Sequence, residues 1–329
     1  MKELLKELIN KELESLGVSD IEVEITKPTL EENGDYSSNI SMKLAKTLKK
    51  NPMEIASSIV NNIKNEKIKK IEIKAPGFIN FFVTKDYLFE NLNKVLAEKE
   101  KYGSSNIGAG KKINIEFVSA NPTGILHLGN ARGGAYGDSL ARIMRFSGYD
   151  VTTEYYINDL GNQITNLGLS ILARYKEICG LDASMPENGY FGKEIIAIAK
   201  KLYEENKDAL LNKDLDYFKK LGTEEMIGHI FSDLKEYRIE YDVKTSEKAL
   251  SEKYDLKNIV DILSKNGYTY QLDGATWFKC SGLFDDKDHV LIKEDGIPTY
   301  FLPDIAYHMD KYNRGFDKAF SLVLTSYSI

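Results

Sequence analysis

The chain has 329 residues, enough for two domains at roughly 100–200 residues each. Hydrophobic residues are 42% and charged residues 29%, and 44 basic against 50 acidic side chains give a net charge of −6, which excludes a disordered chain and a bulk electrostatic grip on nucleic acid. The two cysteines, Cys179 and Cys280, have no partner at metal spacing, which excludes a disulfide scaffold and a Cys-rich zinc site and suits a reducing cytoplasm.

The N-terminal stretch lacks the apolar core of a signal peptide and is too acidic for a transit peptide. Leu4, Leu5, Leu8, Ile9 and Leu13 instead predict an amphipathic helix over 2–15. Residues 21–25 alternate apolar and acidic, which predicts a half-buried strand, and 33–36 form a turn. Helices are predicted over 40–48 and 52–65, the second with Pro52 in its first turn. Strands follow at 69–74 and 78–83, then a helix at 88–100. Lys43, Lys46, Lys49 and Lys50, then Lys64, Lys67, Lys69 and Lys70, read as solvated faces or local phosphate contacts. The Gly- and Ser-rich run 102–110 has no periodicity and predicts a linker. Residues 1–105 therefore form a small α+β domain. Up to residue 110 the charge balances, 17 basic against 17 acidic.

The second domain, 111–329, opens with a strand at 113–118, a Pro- and Gly-containing loop at 119–126, and a helix at 127–146 stopped by Gly148. A strand at 151–157 and a helix at 160–177 complete a strand–helix alternation, which predicts a doubly wound α/β fold with a parallel sheet. Residues 187–265 read as a mostly helical insertion. Strands return at 268–279 and 289–292, and a short helix spans 303–312. No apolar run approaches the ~18–20 residues of a membrane span, so no membrane partner is expected.

Open α/β sheets bind ligands beyond the carboxyl ends of their strands. The first such turn here runs from Glu116 through Asn121, Pro122, Gly124, His127 and Gly129 to Asn130. It lacks the G-x-G-x-x-G dinucleotide pattern, and Gly110-Lys111 lacks the glycine and hydroxyl of a phosphate loop. It offers a helix N-terminus for phosphates, with His127 and Asn130 on one face of the first turn. Gly129 carries no side chain that would keep a flat ring off the backbone. His127 by itself reads as a satisfied polar residue; the whole string says more.

The string Ser119-Ala-Asn-Pro-Thr-Gly-Ile-Leu-His-Leu-Gly-Asn130 resembles the first signature of class I aminoacyl-tRNA synthetases, His-Ile-Gly-His, with Leu128 and Asn130 substituted. Asn121 to Gly124 resembles the arginyl-tRNA synthetase version. The resemblance continues in order through Gly34-Asp-Tyr-Ser-Ser-Asn39, Pro76-Gly-Phe-Ile-Asn-Phe81, Tyr156-Ile-Asn-Asp-Leu-Gly-Asn-Gln163, Asp273-Gly-Ala-Thr-Trp277, Asp304-Ile-Ala-Tyr-His308 and Arg314-Gly-Phe-Asp317. It implies a Rossmann-like class I catalytic domain preceded by a small α+β domain. It implies ligation of arginine to its tRNA through an arginyl-adenylate, with ATP and Mg2+ as substrate complex and no tightly bound protein metal.

By the same resemblance, His127 and Asn130 are catalytic, stabilising charge near the α-phosphate, and with Pro122, Gly124 and Gly129 they bind ATP. Tyr300 and Asp304 match the pair that recognises the guanidinium, a carboxylate being its natural partner. Asn121 and Glu116 match positions that hold the α-amino and carboxylate ends of arginine, and Glu247 supplies a further pocket carboxylate. The N-terminal domain resembles the module that contacts the tRNA elbow, where Phe78 stacks on a flipped-out base and Asn80 reads its edge.

After Phe320 the sequence departs from the family pattern. The rest of the nucleotide fold, the Lys-Met-Ser-Lys-type loop and a C-terminal helical domain are expected to be missing, which implies an incomplete catalytic domain, weak or absent catalysis and self-association of a form that is otherwise monomeric. Two other readings compete: a different nucleotidyltransferase with the same His-x-Gly element, and a non-catalytic tRNA-binding fragment.

Overall fold

The structure is a computed structural model that describes residues 1–19, 21–281 and 285–322. It divides into two compact units, Met1–Gly103 and a second beginning at Ser104.

In the first unit, helix α1 (Lys2–Ser15) buries Leu5, Ile9 and Leu13, four residues apart and so on one face. It packs with α2 (Ile40–Leu48) and α3 (Pro52–Val60) on an antiparallel sheet of β1 (Tyr36–Ser38), β3 (Phe78–Val83) and β2 (Ile68–Lys74), in the order β1-β3-β2. Asn51 starts α3 by accepting from the Met53 amide at 2.8 Å. Two expectations need correction. The helix expected to reach residue 65 stops at Val60, because Asn61, Asn62 and Asn65 favour turns: the Asn65 side chain accepts from the Lys67 amide at 3.0 Å. The strand expected over 21–25 does not form. Val23 and Ile25 do point inward, at 3% and 4% exposure, but only Thr26 bridges to Ser37, and the Glu24 carbonyl is satisfied by the Ser38 hydroxyl at 2.9 Å. Helix α4 (Lys85–Glu98) begins three residues earlier than the periodicity predicts, since Thr84 caps the Tyr87 amide.

The second unit is built on a parallel sheet ordered β10-β4-β5-β6, from β4 (Lys112–Phe117), β5 (Asp150–Ile157), β6 (Val243–Ser246) and β10 (Lys318–Leu322). Helix α5 (Leu128–Phe146) returns the chain from β4 to β5. Helices α6 (Asn162–Ile178), α7 (Lys193–Asn206) and α8 (Leu215–Glu236) enclose a core of Leu167, Ile171, Tyr175, Ile198, Phe218 and Met226. Residues 187–265 are mostly helical, as expected, but four residues within them, β6, are a strand of the central sheet. Helices α9 (Glu247–Lys253) and α10 (Leu256–Lys265) follow. A separate antiparallel sheet, β7 (Thr269–Leu272), β8 (Ala275–Phe278) and β9 (His289–Ile292), then leads to α11 (Phe301–Asn313).

Helix α5 lies close on β4 because its facing positions are glycines. A Cβ at Gly137 would sit 2.2 Å from the Phe117 ring, and one at Gly134 would sit 2.6 Å from Ile239. Gly137→Ala gains about 1 kcal/mol of helix propensity. It also forces a methyl into a ring that is 1% exposed and cannot withdraw. Overpacking of this kind costs about 1–3 kcal/mol or more, so the variant is expected to unfold at lower urea. An unchanged or higher midpoint would contradict the close approach.

Candidate functional site

The carboxyl edge of the parallel sheet is where a ligand site is expected. Register puts Glu116 beside Glu154 on one side and beside Ser321 on the other, so two carboxylates lie next to each other near this edge. Like charges this close need cations, and α11 with the residue after it supplies them.

Glu154 is fully buried. Arg314 Nη2 donates to both its oxygens at 2.8 and 2.9 Å, and Asn114 Nδ2 and Thr245 Oγ1 each donate at 2.5 Å. Arg314 Nε lies 2.9 Å from Asp310, which also takes Lys253 Nζ at 2.6 Å and the Tyr254 hydroxyl at 3.1 Å. Glu116 Oε2 accepts from Lys311 Nζ at 2.7 Å and from Ser321 Oγ at 3.0 Å, and its Oε1 accepts from Ser119 at 3.0 Å. Burial alone would raise the Glu116 pKa; the Lys311 charge and these hydrogen bonds outweigh it and hold the carboxyl below its ordinary value. The loop leaving β4 is strained to make these contacts, with Val118 and Ser119 at φ of 68° and 39°. Ser119 Oγ also accepts from the Tyr156 amide at 3.1 Å.

Tyr300, Asp304, Tyr307 and Lys311 are spaced four, three and four apart and share one face of α11. Tyr300, at the N-cap, is 80% exposed. The Asp304 carboxylate is mostly exposed, and His308 Nδ1 lies 3.6 Å from it and donates to the Asp304 carbonyl at 2.9 Å. Tyr307 is buried and packs its ring 4.6 Å from that of Tyr156. Burial, then the charges of Glu116 and Glu154, drive the Tyr307 phenol pKa well up.

Tyr156 brings two of the sequence-derived residues together. Its phenol pKa is driven up first by burial and then by Glu247, with which it hydrogen-bonds, by Asp304 and by Asp159. Glu247 opens α9. Burial raises its pKa, the Tyr156 hydrogen bond opposes this, and Asp159 adds to the rise. Asp159 is occupied in holding the start of α9, accepting from Ser246 Oγ at 2.6 Å and from the Lys248 amide at 2.9 Å. Glu247 therefore hydrogen-bonds this phenol and Asp304 acts on it through its charge, while Glu116 is taken up by partners within the chain. Asn121 is exposed in the β4–α5 loop, and its side chain makes no hydrogen bond among the described residues.

His127 is the N-cap of α5. Its Nδ1 accepts from the amides of Gly129 at 3.1 Å and Asn130 at 3.4 Å, and Asn130 Oδ1 accepts from the His127 amide at 3.1 Å. This reciprocal cap fixes the tautomer: with Nδ1 accepting, Nε2 carries the proton of the neutral ring and is free to donate. A Cβ at Gly129 would press on the His127 ring at 2.9 Å, whereas one at Gly124 would meet nothing within 4 Å. Pro122 is buried beneath the loop. The side chain of Asn130 is thus committed to the cap rather than extended away from it.

In the first unit, Phe78 opens β3 with its ring 39% exposed. Asn80, two residues on, is 2% exposed and accepts from Ser37 Oγ at 2.7 Å through Oδ1.

Among the described residues no group of three or more His, Cys, Asp or Glu side chains is arranged to hold a metal, and no helix is long and apolar enough to cross a membrane. The motif reading passed over Glu154, Tyr156, Tyr307, Lys311 and Arg314 as functional positions. The spacing of Tyr307 and Lys311 from Asp304, three and seven residues along one helix, is the signal that points to two of them.

Residues 3–83 match the family model for the arginyl tRNA synthetase N terminal domain, and residues 91–328 match that for the class I (R) tRNA synthetase catalytic domain. The arginine–tRNA ligase of Bacillus subtilis (strain 168) is 46% identical over 97% of this chain and 59% of its own length. That of Listeria monocytogenes serotype 4b is 48% identical over 93% and 56%. The chain thus spans a little under three fifths of the length of the curated relatives it matches. A crystal structure of a Campylobacter jejuni arginyl-tRNA synthetase superposes with a TM-score of 0.67 at 35% identity, covering 73% of this chain and 53% of the other. The Thermus thermophilus arginyl-tRNA synthetase, at 22% identity and a TM-score of 0.60 over 94% of this chain and 53% of its own, shares the fold.

Proposed function

Because the chain belongs to the arginyl-tRNA synthetase family, we propose that its second unit carries the site that binds arginine and ATP for ATP-dependent formation of an arginyl-adenylate, and its first unit a surface for the tRNA that receives the arginyl group. The observation that carries this reading is the Glu247 carboxyl hydrogen-bonded to the Tyr156 phenol, with the charge of the solvent-open Asp304 acting on the same phenol. Two carboxyls acting on one phenol, one of them open to solvent, suit a planar guanidinium with its five N–H donors.

In this reading Asp304 takes the guanidinium, Tyr300 lies against its face, and Glu247 provides the second carboxylate. Asn121, with an uncommitted amide, meets the α-amino and carboxylate end. Glu116 contributes from within, its oxygens being filled by Lys311, Ser321 and Ser119. ATP, brought in with Mg2+, rests its phosphates at the start of α5, where the dipole favours negative charge. His127 donates from Nε2 toward the α-phosphate as charge develops there. Asn130 holds His127 in place, Gly124 and Gly129 leave room for a flat base, and Pro122 supports the loop. The tRNA surface would use Phe78 as a stacking platform. Asn80, turned inward to Ser37, would shape the strand beneath it or turn out on binding.

The test is calorimetric titration with arginine, with lysine and the neutral isostere citrulline as controls. Arginine is expected to bind and the controls to bind at least about 30-fold more weakly, since losing one partner of a hydrogen-bonded charge pair costs ~2 kcal/mol or more. Affinity should also depend on pH. The Glu247 pKa is raised in the free protein, and a guanidinium favours the ionised form, so binding releases a proton. Arginine affinity therefore rises with pH until Glu247 is ionised in the free protein, at its raised pKa, and is flat above that. Equal affinities for arginine and citrulline would sink the reading; a Glu247→Gln variant with an unchanged pH profile would remove Glu247 from it.

A further inference from the structure

We propose that Lys311 is a positioning residue for Asp304: its buried ammonium, locked onto Glu116, sets the register of α11 along the sheet edge and so the place where the Asp304 carboxylate meets a guanidinium. The inference rests on the arginine reading above. Lys311 is 1% exposed, an unusual state for a lysine, and it is caged by Glu116 Oε2 at 2.7 Å, Ser321 Oγ at 3.3 Å and the face of the Tyr307 ring at 4.0 Å. One ammonium thus joins α11 to two adjacent parallel strands, β4 through Glu116 and β10 through Ser321. Buried pairs of this kind are modest stabilisers beside an apolar substitute, and their best use is to select one geometry.

The length of the lever is short. Lys311 is seven residues from Asp304 on the same face, two helical turns or about 10.5 Å at 1.5 Å per residue. In the first turn of α11, Leu302 is fully buried and Phe301 stacks on His289 at 4.4 Å, while Tyr300, 80% exposed, and Asp304, open to solvent, lie on its outer side. Glu116, for its part, has both oxygens engaged by Ser119, Lys311 and Ser321. It acts on the ligand through Lys311 and Asp304, not by touching the α-ammonium.

Four forms of the 329-residue chain separate the possibilities: wild type, Lys311→Met, Glu116→Gln and the double variant, which carries no unpaired charge and keeps the volume. Each is titrated with arginine, with 5-guanidinopentanoate (arginine without its α-amino group) and with ATP, and unfolded in urea. The positioning role predicts that each single variant loses tenfold or more in affinity for both guanidinium ligands alike, with ATP affinity unchanged. The double variant recovers the urea midpoint but not the affinity. If Glu116→Gln weakens arginine and leaves 5-guanidinopentanoate alone, Glu116 touches the α-ammonium and the inference fails while the arginine site stands. If the double variant recovers affinity together with stability, the pair is structural only and the inference also fails. Absence of arginine binding by the wild-type chain would overturn the arginine reading and this inference with it.

Discussion

Replacing Arg314 with methionine is expected to lower the unfolding free energy by about 3–5 kcal/mol, the cost of leaving a buried charge without its partner. Glu154 has no exposure, and its two strongest contacts come from one guanidinium nitrogen at 2.8 and 2.9 Å. Asn114 and Thr245 remain as donors at 2.5 Å, but neither carries charge. Without Arg314 the buried Glu154 carboxyl keeps only neutral donors. Urea unfolding at neutral pH measures the loss, and Glu154→Gln/Arg314→Met should recover much of it. A loss under ~1 kcal/mol would mean that water reaches Glu154 once the arginine is gone.

Asp304→Ala is expected to remove arginine binding by at least about 30-fold while leaving stability within ~0.5 kcal/mol. The two effects separate because the Asp304 side chain is 59% exposed and its ion-pairing contact is a long one, to the exposed His308 ring at 3.6 Å. In the free chain water solvates this carboxylate, so its removal costs little. A bound guanidinium would displace that water and turn the carboxylate into half of a desolvated pair. Asp304→Asn keeps the shape and a hydrogen-bond acceptor but not the charge, and should fall between. A variant that binds arginine normally would move the guanidinium site away from α11. A variant that also loses several kcal/mol of stability would make Asp304 structural and contradict the exposure on which the argument rests.

Much of the fold was legible because local patterns and tertiary packing agree. The 2–15 helix is periodic in Leu5, Ile9 and Leu13, and those three side chains are the buried ones. The β4–loop–α5 unit was legible because Gly and Pro punctuate it and the helix then runs nineteen residues to Phe146. Misreadings came where a few residues decide. Val243 to Ser246 is four residues long between helices, too short for period two to stand out, and only parallel pairing with β5 makes it a strand. Residues 21–25 do alternate, but alternation reports which side chains turn inward, not whether the backbone finds a ladder.

The candidate site divides the same way. His127 and Asn130 were legible as a helix start, being three apart at a cap, and the structure adds the direction of each hydrogen bond. Tyr300 and Asp304 were legible only as a pair implied by the resemblance, since the helix was expected to begin at 303; the structure starts it at Phe301 with Tyr300 as its N-cap. Asn80 was not legible as buried, because nothing in its neighbourhood announces that Ser37, forty-three residues earlier, fills its carbonyl.

The sequence alone determined most of the helices, the strand–helix–strand unit of β4, α5 and β5 with its parallel character, the motif string at the start of α5 and the acidic residue of α11, since each is written within a few neighbouring residues. Tertiary structure alone decided which charges meet. Lys311 finds Glu116 across 195 residues and Arg314 finds Glu154 across 160. Such pairs carry no sequence period, because they are set by the order in which strands enter a sheet and by the need of a buried charge for a partner.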